Sequence, residues 1–317
     1  MTDRAPESTG QRAYLIGVDL GGSSAKAVAV ASSGEPFAQH TLQFDDTVPF
    51  AFARAVKGLV DRIEGEIGSK SKVIGISAPG LAHRDERSIA HMPGRLTGLE
   101  GYDWKFELGR DNPVPVLNDA HAALLGEHWL GAARGVDNVF MITLGTGVGG
   151  AAMVDGRLLR GAIGRAGHLG HVSLDLHSPS VDICGIPGSL ENLVATCTIH
   201  ERSAGRFQTI QALVAAVEQN DAGALAVWED SLRALAVGIA SLVNVLDPET
   251  VVVGGGVSRA GATLFEPLKR HLARYEWRPG GHAVRIVPAQ LGSMAGAYGA
   301  AFNASANSDR LRRVQCS

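Results

Sequence analysis

Short apolar runs typical of buried strands alternate along the chain with segments whose apolar residues recur at helical spacing. The first run, YLIGVDL at 14–20, ends in a glycine turn and is followed by a second strand pattern, KAVAVAS. Residues 50–67 then have apolar side chains at helical spacing, and KVIGISAPG is a further strand. Interleaved strands and helices predict an α/β architecture in which helices cover a mixed sheet.

The second half of the chain repeats the plan of this first hairpin. The run NVFMITLGTGVGG at 138–150 is again a strand followed by glycines, and AAMVDGRLLRG continues it. Its Asp155-Gly156 pair, between two apolar runs, is a hairpin signal. We therefore predict two lobes that open with the same strand–glycine–strand hairpin, as expected after an internal duplication. Beyond residue 190 the pattern is mainly helical, interrupted by the strand TVVVGGGVS.

Composition and charge narrow the class of protein. At 317 residues the chain is long enough for two lobes that each have a core. Its 29 basic and 32 acidic residues, a net charge of −3, give no electrostatic reason to expect nucleic acid or a membrane as partner. The amino terminus lacks the apolar segment of a signal peptide, and the three scattered cysteines fit a reducing compartment. We therefore expect a cytoplasmic protein.

Glycine is the informative residue type, because many of the 40 glycines cluster at the ends of apolar runs, at 21–22, 145–150 and 254–256. The 145–150 cluster satisfies the G-x-G-x-x-G pattern of dinucleotide-binding folds, but that turn must open a helix and this one opens a strand pair. No G-x-x-x-x-G-K-[ST] phosphate loop is present. The turns therefore predict a cradle of backbone N–H groups that binds phosphates. The structural alternative is that tight hairpins simply need glycine.

Seven segments between residues 14 and 303 together resemble the ROK family of sugar kinases and related repressors. They are D-L-G-G-S at 19–23, A-P-G at 78–80, N-D-A-H-A-A-L-L-G-E at 118–127, L-G-T-G-V-G-G at 144–150, G-H at 170–171, G-S-L-E at 188–191 and V-V-G-G-G-V at 252–257. The resemblance implies a two-lobed actin-like ATPase (ribonuclease H-like) fold with a central cleft. It places a small lobe at 12–118 plus about 296–308 and a large lobe at 119–295, with flexible tails at 1–11 and 309–317.

The resemblance also implies a role for each motif. Asp119 is the expected general base that takes the proton of a sugar hydroxyl; its alternative is a helix N-cap, which Asn118 and Asp119 would both serve well. The expected ATP and phosphate ligands are Asp19, Gly21, Gly22, Ser23, Gly145, Thr146, Gly147, Gly254, Gly255 and Gly256, with Mg²⁺ at Asp19 through water. The expected substrate ligands are Gly80, Arg95, Asn118, Asp119, His168, His171 and Glu191. The alternative for His171 is a structural histidine, and the alternative for Glu191 is an acid favoured by a helix dipole.

Two departures from the family pattern bear on metal and substrate. Many members have a structural zinc site formed by the G-H histidine and C-x-C-G-x-x-G-C; here Asp182 and Ser189 replace two of the cysteines and Cys184 remains. Structural zinc takes four N or S ligands, so we expect none here. His168 stands where the family usually has a sugar-binding glutamate, and Arg95 about where it often has an asparagine. One hypothesis is therefore an acidic substrate.

The predicted function is ATP-dependent phosphorylation of a hydroxyl of a hexose or hexose-like sugar. A transcriptional repressor of the same family would need a helix-turn-helix before the first strand pattern, which begins near residue 14. A catalytically weak or inactive sugar- or nucleotide-binding relative is the remaining alternative. The resemblance further implies a homodimer or homotetramer.

Overall fold

The computed structural model describes residues 13–315, with side chains for 13–308. Within that range the strands are β1 (Leu15–Leu20), β2 (Ser24–Val30), β3 (Pro36–Gln43), β4 (Val73–Ala78), β5 (Leu81–Ala82), β6 (Ile89–His91), β7 (Val116–Asn118), β8 (Val139–Leu144), β9 (Val148–Val154), β10 (Arg157–Leu158), β11 (Thr250–Gly254) and β12 (Arg285–Pro288). The helices are α1 (Ala51–Ile67), α2 (Trp104–Glu107), α3 (Asp119–Leu130), α4 (Leu190–Val194), α5 (Ile199–Arg202), α6 (Ile210–Glu218), α7 (Ala222–Leu246), α8 (Ala262–Tyr275) and α9 (Ala295–Gln315).

Contacts divide the chain into two compact units. One unit reaches Leu117 and includes the segment from Ala300 onward, and the other spans Asn118–Gly299. No helix among the described residues combines the length and apolar character that crossing a bilayer requires.

The first unit has a five-stranded mixed sheet with the order β3-β2-β1-β4-β7. β1 is antiparallel to β2 and parallel to β4, and Asp19 lies opposite Ser77 in the parallel register. α1 buries Val56, Leu59 and Ile63 in the core of this unit, at the spacing of one helix face. The carboxyl ends of β1 and β4 therefore meet at the same sheet edge.

The second unit has a sheet with the order β10-β9-β8-β11-β12, in which β8 is antiparallel to β9 and parallel to β11. β11 is buried along its whole length, as expected for a parallel strand covered on both faces. α7 contributes Leu232, Leu235 and Ile239 to the same core. The carboxyl end of β8 thus lies beside that of β11.

The two sheets have the same strand order, which extends the predicted hairpin repeat to whole sheets. In each, the first three strands form an antiparallel meander and the next two continue the sheet on the other side of the first strand. The predicted Asp155-Gly156 hairpin is confirmed: β9 and β10 pair across it, and both turn residues have positive φ angles, 50° and 68°. Two successive positive φ angles match the twist of a tight hairpin.

Small residues let α9 pack closely in each unit. In the second unit, a Cβ added at Gly299 would overlap the Ala122 carbonyl of α3, so the first turn of α9 lies directly on that helix. In the first unit, a Cβ at Gly75 of β4 would overlap the Ala300 carbonyl. The chain passes between the two units at 117/118 and 299/300. The lobe bounds 118/119 and 295/296 stay a prediction.

The carboxyl-terminal end of the chain differs from the expectation of a tail at 309–317, because α9 continues to Gln315. Asn303 and Asn307, one turn apart on α9, each donate from Nδ2 to Glu86 Oε2 at 2.8 Å. Glu86 is itself buried, so the two amides satisfy a carboxylate that water does not reach freely. The expected tail at 1–11 lies outside the described residues, as do residues 316–317.

A buried carboxylate on α3 gives a stability prediction for the second unit. Glu127 has no exposed surface and accepts hydrogen bonds from the backbone N–H groups of Ala132 (2.7 Å), Gln290 (2.9 Å) and Leu291 (2.8 Å). Glu127→Ala would orphan these donors, so we expect a loss of about 2–4 kcal/mol in the free energy of unfolding, measured by urea titration.

Glu127→Gln keeps an acceptor oxygen and should cost less than Glu127→Ala. Glu266→Ala is the control, because this exposed residue forms only a surface ion pair with Lys269 at 3.7 Å, and it should change stability by less than about 0.5 kcal/mol. An equal effect of Glu127→Ala and Glu266→Ala would contradict the proposed role of the three donors.

Candidate active site

Asp19 and the first glycine turn lie at the carboxyl end of β1. The Asp19 carboxylate accepts a hydrogen bond from Ser77 Oγ at 2.6 Å, since the two residues are in register on β1 and β4. Burial raises the pKa of Asp19, and the Ser77 hydrogen bond and the Lys26 charge oppose that shift. The turn at Gly21 closes with a 2.7 Å bond from its N–H to the Ser24 carbonyl, and Ser23 is exposed.

Arg95 lies on this turn. A Cβ added at Gly22 would be 2.8 Å from Arg95 Cζ, so the guanidinium packs directly on the glycine backbone. Its Nη2 also pairs with Asp46 Oδ2 at 3.0 Å. Asp46, which sequence reasoning missed, is therefore an ion-pair partner of Arg95, and half of the arginine side chain remains exposed. Gly80, with φ at 99°, lies at another close approach, where a Cβ would be 2.6 Å from the His91 carbonyl.

The second glycine turn connects β8 to β9. Its backbone is fixed by bonds of 3.0 Å from Thr196 N to the Gly145 carbonyl and from Cys197 N to the Thr146 carbonyl. A Cβ at Gly145 would meet no atom within 4 Å, whereas one at Gly147 would overlap the Glu191 carboxylate. One side of this turn is therefore open and the other is occupied by an acidic side chain.

The third glycine cluster follows β11 and lies against the end of β8. Gly255 has φ at 82°, and a Cβ there would be 2.6 Å from Leu144 N, a backbone approach that only glycine allows. Gly254 ends β11, where a Cβ would overlap Met141 Cε, and Gly256 begins the turn that follows. The pairing of β8 with β11 thus brings the second and third glycine clusters to one edge of one sheet.

The start of α3 separates the roles of the two residues that sequence reasoning left as alternative caps. Asn118 is the N-cap: its side-chain oxygen accepts from Ala120 N at 3.0 Å and His121 N at 3.2 Å. Asp119 is the first helical residue and is exposed, with Oδ1 also accepting from Ala120 N at 2.8 Å. Ala120 Cβ would be 3.3 Å from a Cβ on Gly149, so this first turn lies beside the strand that leaves the second glycine turn.

Glu191, in the first turn of α4, is buried and reaches the same turn. Its Oε2 accepts from Val148 N at 2.8 Å, a bond over 43 residues of sequence. The alternative of an acid merely favoured by a helix dipole is therefore incomplete, because the carboxylate has a specific distant partner.

Three histidines form a cluster in the second unit. His121, missed in the sequence although it lies two positions after Asp119, is buried and bonds the Ala166 carbonyl through Nε2 at 2.8 Å. His168 contacts the His121 ring edge-on at 5.8 Å and stacks on His171 at 6.4 Å between ring centroids. Its Nε2 is buried without a hydrogen-bond partner among the described residues. Burial and the two neighbouring imidazoles lower the pKa of His168 to about 4.

The third histidine, His171, belongs to a second polar cluster. Its Nδ1 is 2.8 Å from Asp182 Oδ2, and its Nε2 is 3.5 Å from Cys184 Sγ. The three ligand atoms available from these residues lie within 4.8 Å of one another. Burial and the carboxylates of Asp182 and Glu191 raise the pKa of the Cys184 thiol.

The second unit thus combines an exposed carboxylate at a helix start, two glycine turns at one sheet edge, and a group of polar side chains beside one turn. Such a set can bind phosphate through backbone N–H groups, hydrogen-bond hydroxyls, and accept a proton. The structure brings Asn118, Asp119, the β8–β9 turn and Glu191 together in one unit. Asp19, the first turn, Gly80 and Arg95 are grouped in the other.

Comparison with known proteins places this arrangement in a family. A sequence model of the ROK family matches residues 15–306. The glucokinase of Halalkalibacterium halodurans is 33% identical over 309 residues, covering 90% of this chain and 93% of the relative. The crystal structure of a ROK hexokinase from Thermus thermophilus has a TM-score of 0.82 and 31% identity, covering 94% of this chain and 99% of that one.

A ROK-family glucokinase from Streptomyces griseus, solved with glucose and AMPPNP, has a TM-score of 0.76 and 27% identity over 92% of this chain and 99% of its own. These matches confirm the predicted α/β fold of the actin-like ATPase type. The chain belongs to the ROK family.

Proposed function

We propose that this ROK-family protein is an ATP-dependent sugar kinase that phosphorylates a hydroxyl of a hexose or hexose-like sugar. The observation that carries the proposal is the start of α3, where an exposed carboxylate lies beside a glycine turn in a chain of this family. The similarity to proteins named glucokinase supports the same reaction class.

Asp119 is the proposed general base. As the sugar oxygen attacks the γ-phosphorus, the O–H bond breaks and its proton passes to the Asp119 carboxylate, while the bond from phosphorus to the bridging oxygen breaks and ADP leaves. Asn118 caps α3 and so fixes the backbone from which the carboxylate projects. A rigid base is important here because phosphoryl transfer depends mostly on positioning.

In the second unit, the proposed phosphate cradle consists of the glycine clusters at 145–150 and 254–256, with Thr146 contributing a hydroxyl. In the first unit, the turn at Gly21 and Gly22 with the Ser23 hydroxyl is the proposed phosphate ligand. The open space at Gly145 is where a phosphate would approach the backbone. The carboxylate of Asp19 would hold Mg²⁺ through water, and its position at the carboxyl end of β1, beside the first glycine turn, fits that role. When bound, the ion neutralises charge on the phosphates.

The proposed sugar ligands of the second unit are Asn118, His168, His171 and Glu191. Gly80 and Arg95 are the proposed substrate ligands of the first unit. A neutral sugar is favoured over the acidic-substrate hypothesis for a reason of charge. Arg95 is already paired with Asp46, and His168, with a pKa near 4, is uncharged at neutral pH. Neither group therefore presents an uncompensated positive charge to a ligand.

The experiment that tests the proposal is sugar-dependent ADP release from MgATP over a panel of neutral hexoses, N-acetylhexosamines and hexuronic acids. We expect turnover with at least one neutral hexose and less with the acids. Binding without turnover across the panel would instead favour the catalytically inactive alternative. Preferential turnover of a hexuronic acid would overturn the charge argument.

Removing the proposed base gives a kinetic prediction. Asp119→Asn should lower kcat by about 10²–10⁴-fold, because the amide cannot accept the hydroxyl proton. Stability should change by less than about 0.5 kcal/mol, since Asn118 retains the cap. Steady-state kinetics and urea unfolding measure the two effects. A variant that keeps wild-type kcat would exclude Asp119 as the base.

The two glycines of the β8–β9 turn offer a matched pair of variants. Gly147→Ala would push the Glu191 carboxylate from its bond with Val148, so we expect the sugar KM to rise about tenfold or more. Gly145→Ala adds the same methyl group in open space on the side assigned to phosphate, so the ATP KM should rise instead.

The KM values for both substrates, measured on both variants, check this separation. Urea unfolding of the same proteins tests whether either change acts through stability. Equal effects on both KM values in both variants would contradict the assignment of the two sides of the turn.

A further inference from the structure

The loop from His171 to Ser189 occupies the place of the zinc motif in the family pattern, yet its residues do not fit zinc. Asp182 Oδ2 is 2.8 Å from His171 Nδ1, and Asp182 Oδ1 accepts from the N–H groups of Cys184 at 2.9 Å and Ile186 at 3.0 Å. The Ser189 hydroxyl lies beside the same carboxylate and helps to lower its pKa. Three N–H donors and this hydroxyl thus surround a carboxylate that has about four lone-pair positions.

The remaining atoms are too few for a structural zinc site. Ser189 Oγ accepts from Asn192 N at 3.2 Å and so serves as the N-cap of α4. That leaves His171 Nε2 and Cys184 Sγ, whereas structural zinc takes four ligands. The Asp182 side chain has no exposed surface, so its hydrogen bonds do not compete with water.

We propose that Asp182 is a positioning residue that replaces the metal: its buried carboxylate fixes the loop and His171 through hydrogen bonds alone, and the loop in turn supports the start of α4. The inference rests on the proposed function in one respect: His171 and Glu191, the side chains that Asp182 positions, are the proposed sugar ligands. It makes the pocket of this chain independent of zinc.

The connection from Asp182 to His171 is direct. With Nδ1–H donating to the carboxylate, a neutral imidazole has its acceptor lone pair on Nε2, so Asp182 sets both the tautomer and the ring orientation. Loss of this bond would free the ring to rotate. In other proteins, groups that orient a site histidine in this way are typically needed for full activity.

The connection to Glu191 passes through the helix start. Ser189, whose hydroxyl lies beside the Asp182 carboxylate, caps α4 two residues before Glu191. Leu190 N bonds the Val172 carbonyl at 2.8 Å, next to His171. Asn192 Nδ2 ties the same turn to the Ser180 carbonyl at 2.7 Å. One buried carboxylate therefore supports both ends of the segment that carries the two proposed sugar ligands.

The first test is metal content and its consequence. Wild-type protein purified from zinc-supplemented medium should contain no stoichiometric zinc by elemental analysis. Its thermal unfolding midpoint and sugar KM should be unchanged by EDTA when Mg²⁺ is replenished. One zinc per chain together with chelator-sensitive unfolding would overturn the proposal. The zinc content and the unfolding midpoint can be measured even if the protein proves to have no kinase activity, in which case the proposed function fails separately.

The second test removes the carboxylate charge. Asp182→Asn places an NH₂ group against N–H donors, so the sugar KM should rise about tenfold while the ATP KM changes less than about twofold. Asp175→Asn is the control. Asp175 lies in the same loop, but its carboxylate accepts a local hydrogen bond from His177 N at 2.9 Å, two residues along the chain. An unchanged sugar KM in Asp182→Asn would refute the positioning role.

The third test rebuilds the family pattern. The double variant Asp182→Cys/Ser189→Cys adds two thiols to His171 and Cys184, which gives the four ligands that structural zinc requires. It should bind one zinc, and zinc should restore a sugar KM that is about tenfold raised in the metal-free form. A metal-free double variant with wild-type KM and stability would overturn the proposal. If Asp182→Asn does not fold, the double variant still decides the question. Ser189→Ala does so as well, and we expect it to raise the sugar KM by a smaller factor.

Discussion

The candidate site of the second unit depends on the parallel pairing of β8 with β11. Parallel neighbours end at the same sheet edge, and both of these strands end in glycines. Gly255 can approach the Leu144 backbone because it lacks a Cβ, so the two turns lie in contact. The β8–β9 hairpin then places Val148 N–H where Glu191 can accept from it. The same topology in the first unit places Asp19 beside Ser77.

Buried carboxylates do much of the local organisation. Glu127, Glu191 and Asp182 each accept hydrogen bonds from backbone N–H groups that are distant in sequence or lie in irregular loops. Burying such a group is unfavourable unless donors surround it, but once they do, its loss exposes several unsatisfied groups at once. A loop held in this way has one defined conformation without a metal ion or a disulfide.

Charge in the candidate site is mostly balanced within the protein. Arg95 has Asp46 as its partner, and the three-histidine cluster is buried enough to disfavour protonation of His121 and His168. Among the described residues His168 Nε2 has no hydrogen-bond partner, so a ligand can add a bond there. These conditions agree with the neutral sugar proposed above.

By itself the sequence determined the strand–glycine–strand repeats, the α/β class and the family, because these follow from local periodicity and from short motifs read in order. It also identified Asn118 and Asp119 but not which of them caps α3, since both residue types serve that position equally well. It also showed that Asp182 and Ser189 stand where the family motif has cysteines.

Only the tertiary structure decided what those residues contact instead. Asp46 lies 49 residues from Arg95, and Val148 lies 43 residues from Glu191, so no local pattern links the members of either pair. His121 went unnoticed although it lies within the 118–127 motif, because its partner Ala166 is 45 residues away in the sequence. Hydrogen bonds of this kind form where folding brings distant parts of the backbone together. Strand order and register determine those places, and the residue type at a single position does not reveal them.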